Sequence, residues 1–200
     1  MILKKSASKE LLLVAAERLF MRKGYAATTL RDVSSELGLS HASLYYHFPG
    51  GKESLFEAVT EKSALQHGDG LARSMNDGGP HLKGRLIGAA HWLLSQPPMD
   101  LIRMAETDMP ALPEPVARRL MGLIYRKMLL PLADAFREAL ASGEIEAGTD
   151  TGMVAIALFG MVESLHAAPV AYMKKSKLDM ARELILIMLK GIEYSEGESK

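Results

Sequence analysis

The chain has 200 residues, 48% of them hydrophobic, and a formal net charge of zero. That is enough apolar material to bury a core without staples, and the absence of cysteine excludes disulfides, thiolate metal sites and cysteine nucleophiles. Charge is unevenly placed, with eight basic against five acidic residues in 1–55 and three more acids than bases in the remainder, a basic front and an acidic back that suit a small nucleic-acid-binding head on a neutral body.

Lys4 and Lys5 precede the apolar run Leu11–Ala16, but Glu17 and Arg18 cut it short, so neither a signal peptide nor a membrane span is expected. The expected location is cytoplasmic. Apolar spacing is helical throughout, without sustained period-two alternation, which predicts an all-α chain.

A first helix is predicted over Lys9–Lys23, with Leu12, Ala15, Ala16, Leu19 and Phe20 on one face and Gly24 as its stop. Thr28 and Thr29 open a second, where Thr29 and Asp32 have capping-box spacing. Leu30, Val33 and Leu37 form its buried stripe, Gly38 ends it, and Ser40 caps a third helix running to Phe48. Two short helices joined by Gly-Leu-Ser are the signature of a helix-turn-helix.

Pro49-Gly50-Gly51 closes the third helix, and a fourth is predicted over Lys52–Gln66. Glycines at Gly68–Gly70 and turn residues at Asn76–Pro80 read as breaks. Helices then follow over His81–Ser95, Asp100–Thr107, Glu114–Ser142 with a kink at Pro131, Asp150–Ala168 and Lys177–Tyr194. The expected domains are 1–51 and 52–200.

The stretch SHASLYYHF, Ser40–Phe48, is built like a helix with its tail pinned in a core and its front exposed. Ser40, His41, Ala42 and Ser43 are short or polar, as side chains that reach base edges must be, and Ala42 could meet a thymine methyl. Tyr45, Tyr46 and His47 carry donors for phosphates. Leu44 and Phe48 are the core anchors, and two adjacent tyrosines cannot both be buried by so thin a helix. Lys52 opposes the helix dipole in a first turn, a cost that makes sense if ammonium and amides face one anion.

Residues 8–56 resemble the TetR family of bacterial transcriptional regulators, through an apolar helix, Gly24-Tyr25, TTLRDVSSELGLSHASLYYHF and Lys52-Glu53. The resemblance implies an N-terminal three-helix DNA-binding domain and a C-terminal helical ligand-binding and dimerisation domain. It makes Tyr45 and His47 the foremost phosphate binders, with Thr28 or Thr29 gripping a phosphate and Lys52 another. One departure is the turn before Lys52, one residue longer than in many relatives.

Behind the head, the helix over Asp150–Ala168 is apolar nearly all round, and the last helix carries two apolar stripes. Two such helices per subunit would form a four-helix homodimer bundle. Ten of the thirteen methionines lie between Met99 and Met188, and methionine adapts to irregular cavities. Candidate lining residues for a small-molecule effector are His91, Trp92, Met99, Met104, Tyr125, Met128, Phe159, Glu163 and His166. A single Glu163-x-x-His166 pair lacks the second copy and extra carboxylates of a metal bundle, so no metal and no cofactor is expected.

The expected function is a ligand-responsive repressor that binds a palindromic operator as a dimer and is released by an inducer. By resemblance, the effector shifts the middle helices and swings helix four. A helical-bundle enzyme using His91, Glu163 and His166, or an activator without a ligand, are the alternatives.

Overall fold

A computed structural model describes residues 2–98, 100–169 and 172–192, with side chains for all of these except 2–8, 41 and 102. The helices are α1 (Ile2–Ala27), α2 (Leu30–Glu36), α3 (His41–His47), α4 (Gly51–Asp77), α5 (Leu82–Ser95), α6 (Leu101–Arg103), α7 (Glu114–Ile124), α8 (Leu130–Ala141), α9 (Thr151–Ser164) and α10 (Lys177–Lys190). Two π-helical turns, Met104–Asp108 and Tyr125–Leu129, adjoin α6 and join α7 to α8. The fold is all-α, with an N-terminal helix-turn-helix.

The chain forms two compact units, neither continuous in sequence: Met1–Leu65 with Met99–Leu123, and Gln66–Pro98 with Ile124–Lys200. In the first, α1 buries the face its spacing predicts, Leu12, Ala15, Ala16, Leu19 and Phe20. These meet Val33, Leu44, Phe48, Leu55 and Phe56 in one core, each large side chain contributing about 1.5–3 kcal/mol by leaving water. Phe56 packs edge-on against Phe20 and Tyr25, with centroids 5.0 and 4.9 Å away.

In the second unit the prediction of a break at Gly68–Gly70 fails. The helix α4 runs through these glycines to Asp77. Their role is close approach rather than turning. A Cβ on Gly70 would stand 2.0 Å from the Trp92 ring, and one on Gly88 2.0 Å from the Ser74 carbonyl oxygen. Gly78 and Gly84 are in backbone contact in the same way. These three levels step in opposite directions along α4 and α5, so the two helices pack antiparallel, backbone against backbone. Ser74 adds a hydrogen bond from its hydroxyl to the Gly88 carbonyl at 2.7 Å.

Pro131 disturbs its helix as expected, by a specific route. Proline has no N–H to give Lys127, the carbonyl four residues back. The turn before it widens to π geometry, and the Leu130 N–H bonds to Tyr125, five residues back. Around it, Met128, Leu132, Phe136, Leu158, Phe159 and Ile185 form the second core.

Candidate nucleic-acid interface

The reading head is assembled by local capping. The helix α2 ends in a Schellman motif. Gly38 takes φ +63°, its N–H bonds to the Ser35 carbonyl at 3.2 Å, and the Leu39 N–H bonds to Ser34 at 2.9 Å. Two residues later Ser40 starts α3, its hydroxyl accepting the Ser43 N–H at 3.3 Å. The turn thus spends its polar groups on itself and leaves the outer face of α3 for a partner.

On that face Ala42 is exposed and Ser43 half-buried. Tyr45 and Tyr46 are 48% and 59% exposed, while Leu44 and Phe48 are buried behind them, as the composition of the helix requires. His47 is half-buried with its ring edge-on to Tyr46, 5.2 Å between centroids. The His41 side chain lies outside the described residues.

Thr29 is exposed and completes the predicted capping box: its hydroxyl accepts the Asp32 N–H at 3.1 Å, and the Asp32 carboxylate accepts the Thr29 N–H at 2.9 Å. Hydrogen bonds to the carboxylate from the Thr29 N–H and then the Thr29 hydroxyl hold the Asp32 carboxyl below its ordinary pKa. Thr28 behaves differently from the expectation for it. It is 0% exposed, and its hydroxyl donates to the Gly24 carbonyl at 2.7 Å. It closes the end of α1 rather than facing a phosphate, because the chain must turn inward there to start α2.

Lys52 also turns toward α1. Its ammonium donates to the Tyr25 carbonyl at 3.0 Å and the Ala26 carbonyl at 3.4 Å, and it sits 4.2 Å from the Tyr25 ring centroid, a cation–π contact. The long turn Pro49-Gly50-Gly51, with Gly51 at φ +68°, delivers it there. Arg18 pairs with Glu36 at 3.0 Å and Lys23 approaches Asp32 at 3.9 Å, so part of the basic count of the head holds α1 to α2. Burial, followed by the charges of Glu53 and Glu57, raises the Tyr25 pKa.

Residues 12–59 match the family described as bacterial regulatory proteins, tetR family. The match is confined to the N-terminal head, from α1 to the first turns of α4. Over 55 residues it is 54% identical to the HTH-type transcriptional regulator LmrA of Bacillus subtilis, covering 27% of this chain and 29% of that protein. It is 36% identical over 69 residues to the biofilm operon icaADBC negative transcriptional regulator IcaR of Staphylococcus epidermidis, 34% and 37% of the two chains. The chain thus spans well under half the length of these relatives. Solved structures extend the likeness in fold. A transcriptional regulator from Saccharomonospora viridis in complex with choline has a TM-score of 0.73 at 20% identity, over 95% of this chain and 100% of that one. Reduced NemR of Escherichia coli has 0.70 at 19%, over 94% and 98%.

Behind the TetR-family head, the effector candidates scatter. His91 and Tyr125 are exposed, Met128 and Phe159 are core, and Trp92 is half-buried, its indole N–H donating to the His67 carbonyl at 3.1 Å. Met104 lies in the first π turn, in the other compact unit, and Met99 is outside the described residues. Glu163 and His166 do meet, 3.9 Å apart and largely buried. Burial, then the nearby Lys177 ammonium, lowers the His166 pKa, against a hydrogen bond to the Leu93 carbonyl that raises it.

Among the described residues no three His, Asp or Glu side chains cluster as metal ligands do, and the named relatives are regulators, not enzymes. Sequence reasoning passed over His67, a buried imidazole whose pKa is lowered by desolvation and whose Nδ1 has no partner. His67 lies one residue beyond the predicted end of the fourth helix at Gln66, so no helical face assigned it inward until α4 was seen to continue through it.

Proposed function

We propose that the chain is a DNA-binding transcriptional regulator that reads a palindromic operator as a homodimer, acts as a repressor and is released by a small-molecule effector. The observation that carries the reading is α3: a capped helix whose core anchors face inward and whose Ala42, Ser43, Tyr45 and Tyr46 face outward, inside a TetR-family domain. Ser40, His41, Ala42 and Ser43 would reach base edges, and Thr29, Tyr45, Tyr46 and His47 would hold phosphates. Lys52 and Thr28 serve the interface indirectly, by fixing the end of α1.

Dimerisation is supported by an uncovered apolar face. Met153, Ile156, Ala157 and Gly160 on α9, with Leu186 and Ile187 on α10, are exposed, and Met153 and Ile187 are each 67% so. A second copy across a two-fold axis would cover both, and two-fold dimers of helix-turn-helix heads read half-sites one DNA turn apart, about 34–36 Å. Repression is supported by the described role of IcaR, and an effector by the choline complex of the Saccharomonospora viridis protein. The largely buried Glu163–His166 pair would offer such a molecule a polar contact within the second unit.

Selecting bound fragments from a genomic DNA pool tests the reading. Enriched fragments should share a palindrome, and affinity for the recovered duplex should fall steeply with salt, because phosphate contacts release counterions. No enrichment, or salt-independent binding, would overturn it.

A further inference from the structure

The helix α1 is broken at Gly24, which takes φ +79° and ψ 172° within an otherwise helical run. Such a break strands backbone groups on both sides, because the i to i−4 ladder cannot cross it. Both sides are served from one turn elsewhere in the chain. The Tyr25 N–H, just after the break, donates to Asp108 Oδ1 at 2.7 Å. The Met21 carbonyl, just before it, accepts from Arg103 Nη1 at 2.8 Å. The two side chains also face each other, with Arg103 Nε 3.5 Å from Asp108 Oδ2. Asp108 is 1% exposed, and a Cβ on Gly24 would approach its Oδ1 to 3.1 Å.

The geometry of this clasp depends on the π turn. In an α-helix each residue advances about 100°, so side chains five apart stand about 140° from one another. Arg103 and Asp108 are five apart. The intervening Met104–Asp108 turn is π-helical, with the Met109 N–H bonding five residues back to Met104, and this wider turn brings both side chains to one side. A return to α register would part them.

We propose that Arg103 and Asp108 are positioning residues that couple the 104–108 turn to the orientation of the DNA-reading head. The closed clasp fixes the end of α1, against which Thr28 and Lys52 seat the starts of α2 and α4. Operator affinity and the register of a turn that carries no DNA-facing residue are then thermodynamically linked, and the linkage runs both ways. This inference rests on the DNA reading proposed above.

Hydrogen exchange of the full chain, with and without the selected operator duplex, tests it. In the wild type, operator should slow exchange at Tyr25 and in peptides spanning 99–112. Asp108→Ala should bind the operator about tenfold more weakly, within the usual range of site-to-site coupling, and its 99–112 peptides should no longer respond to DNA. Asp108→Asn, which keeps an acceptor for Tyr25 but loses the charge, should fall between. If Asp108→Ala does not fold, Arg103→Met supplies the same readout with the carboxylate intact. An operator-insensitive 99–112 segment in the wild type, or wild-type affinity and protection in the variants, would overturn the clasp. Failure of the wild type to bind any DNA would instead remove the reading beneath it, and is seen before a variant is made.

Discussion

At the scale of single residues, burial decides which polar groups face outward and which serve the scaffold. Thr28 and Thr29 are neighbours with the same side chain, yet one hydroxyl is spent on the Gly24 carbonyl and the other caps α2 in the open. Nothing in their chemistry separates them; the chain direction into α2 does. His67 makes a sharper case. Its folded pKa lies below the ordinary histidine value because its charged form is desolvated. The unfolded chain therefore binds the proton more readily, and stability falls as pH drops below about 6.5 toward the folded pKa. His67→Leu should remove part of that slope and cost little at pH 7, since Nδ1 already lacks a partner. Thermal unfolding between pH 5 and 8 decides this; an unchanged slope in the variant would place the acid sensitivity elsewhere, with His166 next in line.

At the scale of elements, the glycines of α4 and α5 matter most. Gly88→Ala should lose about 1–3 kcal/mol by overpacking, because the contact is the Ser74 backbone, which cannot rotate away. Gly152→Ala is the control: its Cβ would meet only the Asp150 carboxylate at 3.4 Å, and it should gain about 0.5–1 kcal/mol from helix propensity. Chemical denaturation of the two variants reads the difference directly; equal effects would mean that the α4–α5 backbone contact carries no packing constraint.

The same elements show what the sequence could reveal. The helix-turn-helix was legible almost to the residue, because caps and a Schellman glycine are local devices. Gly68–Gly70 was misread as a turn because a glycine for close approach and a glycine for turning look alike until the partner helix is known. The four-residue spacing of Gly70, Ser74 and Gly78, matched by Gly84, Gly88 and Trp92, was the available clue.

At the scale of the whole molecule, the exposed face of α9 and α10 sets the expected assembly. Ile156→Glu with Ile187→Glu should leave the helical content intact and shift the protein from dimer to monomer in sedimentation. Operator affinity should collapse with it, since one half-site supplies few base contacts through short side chains. A double variant that stays dimeric would move the interface off these helices. This face was legible in sequence as apolarity in excess of one core. The effector residues were not, because a cavity in a helical body is lined by the same side chains that fill a core.

The discontinuity of the first unit bears on how this protein can be taken apart or recombined. A head cut at residue 51 or 65 leaves behind the segment 99–123 that belongs to the same compact unit, and with it the acceptor for the Tyr25 N–H and the donor for the Met21 carbonyl. Grafting this helix-turn-helix head onto another protein is thus a transplant of two segments, not one. A crossover that ignores the second would carry the recognition helix across and leave its foundation with the donor.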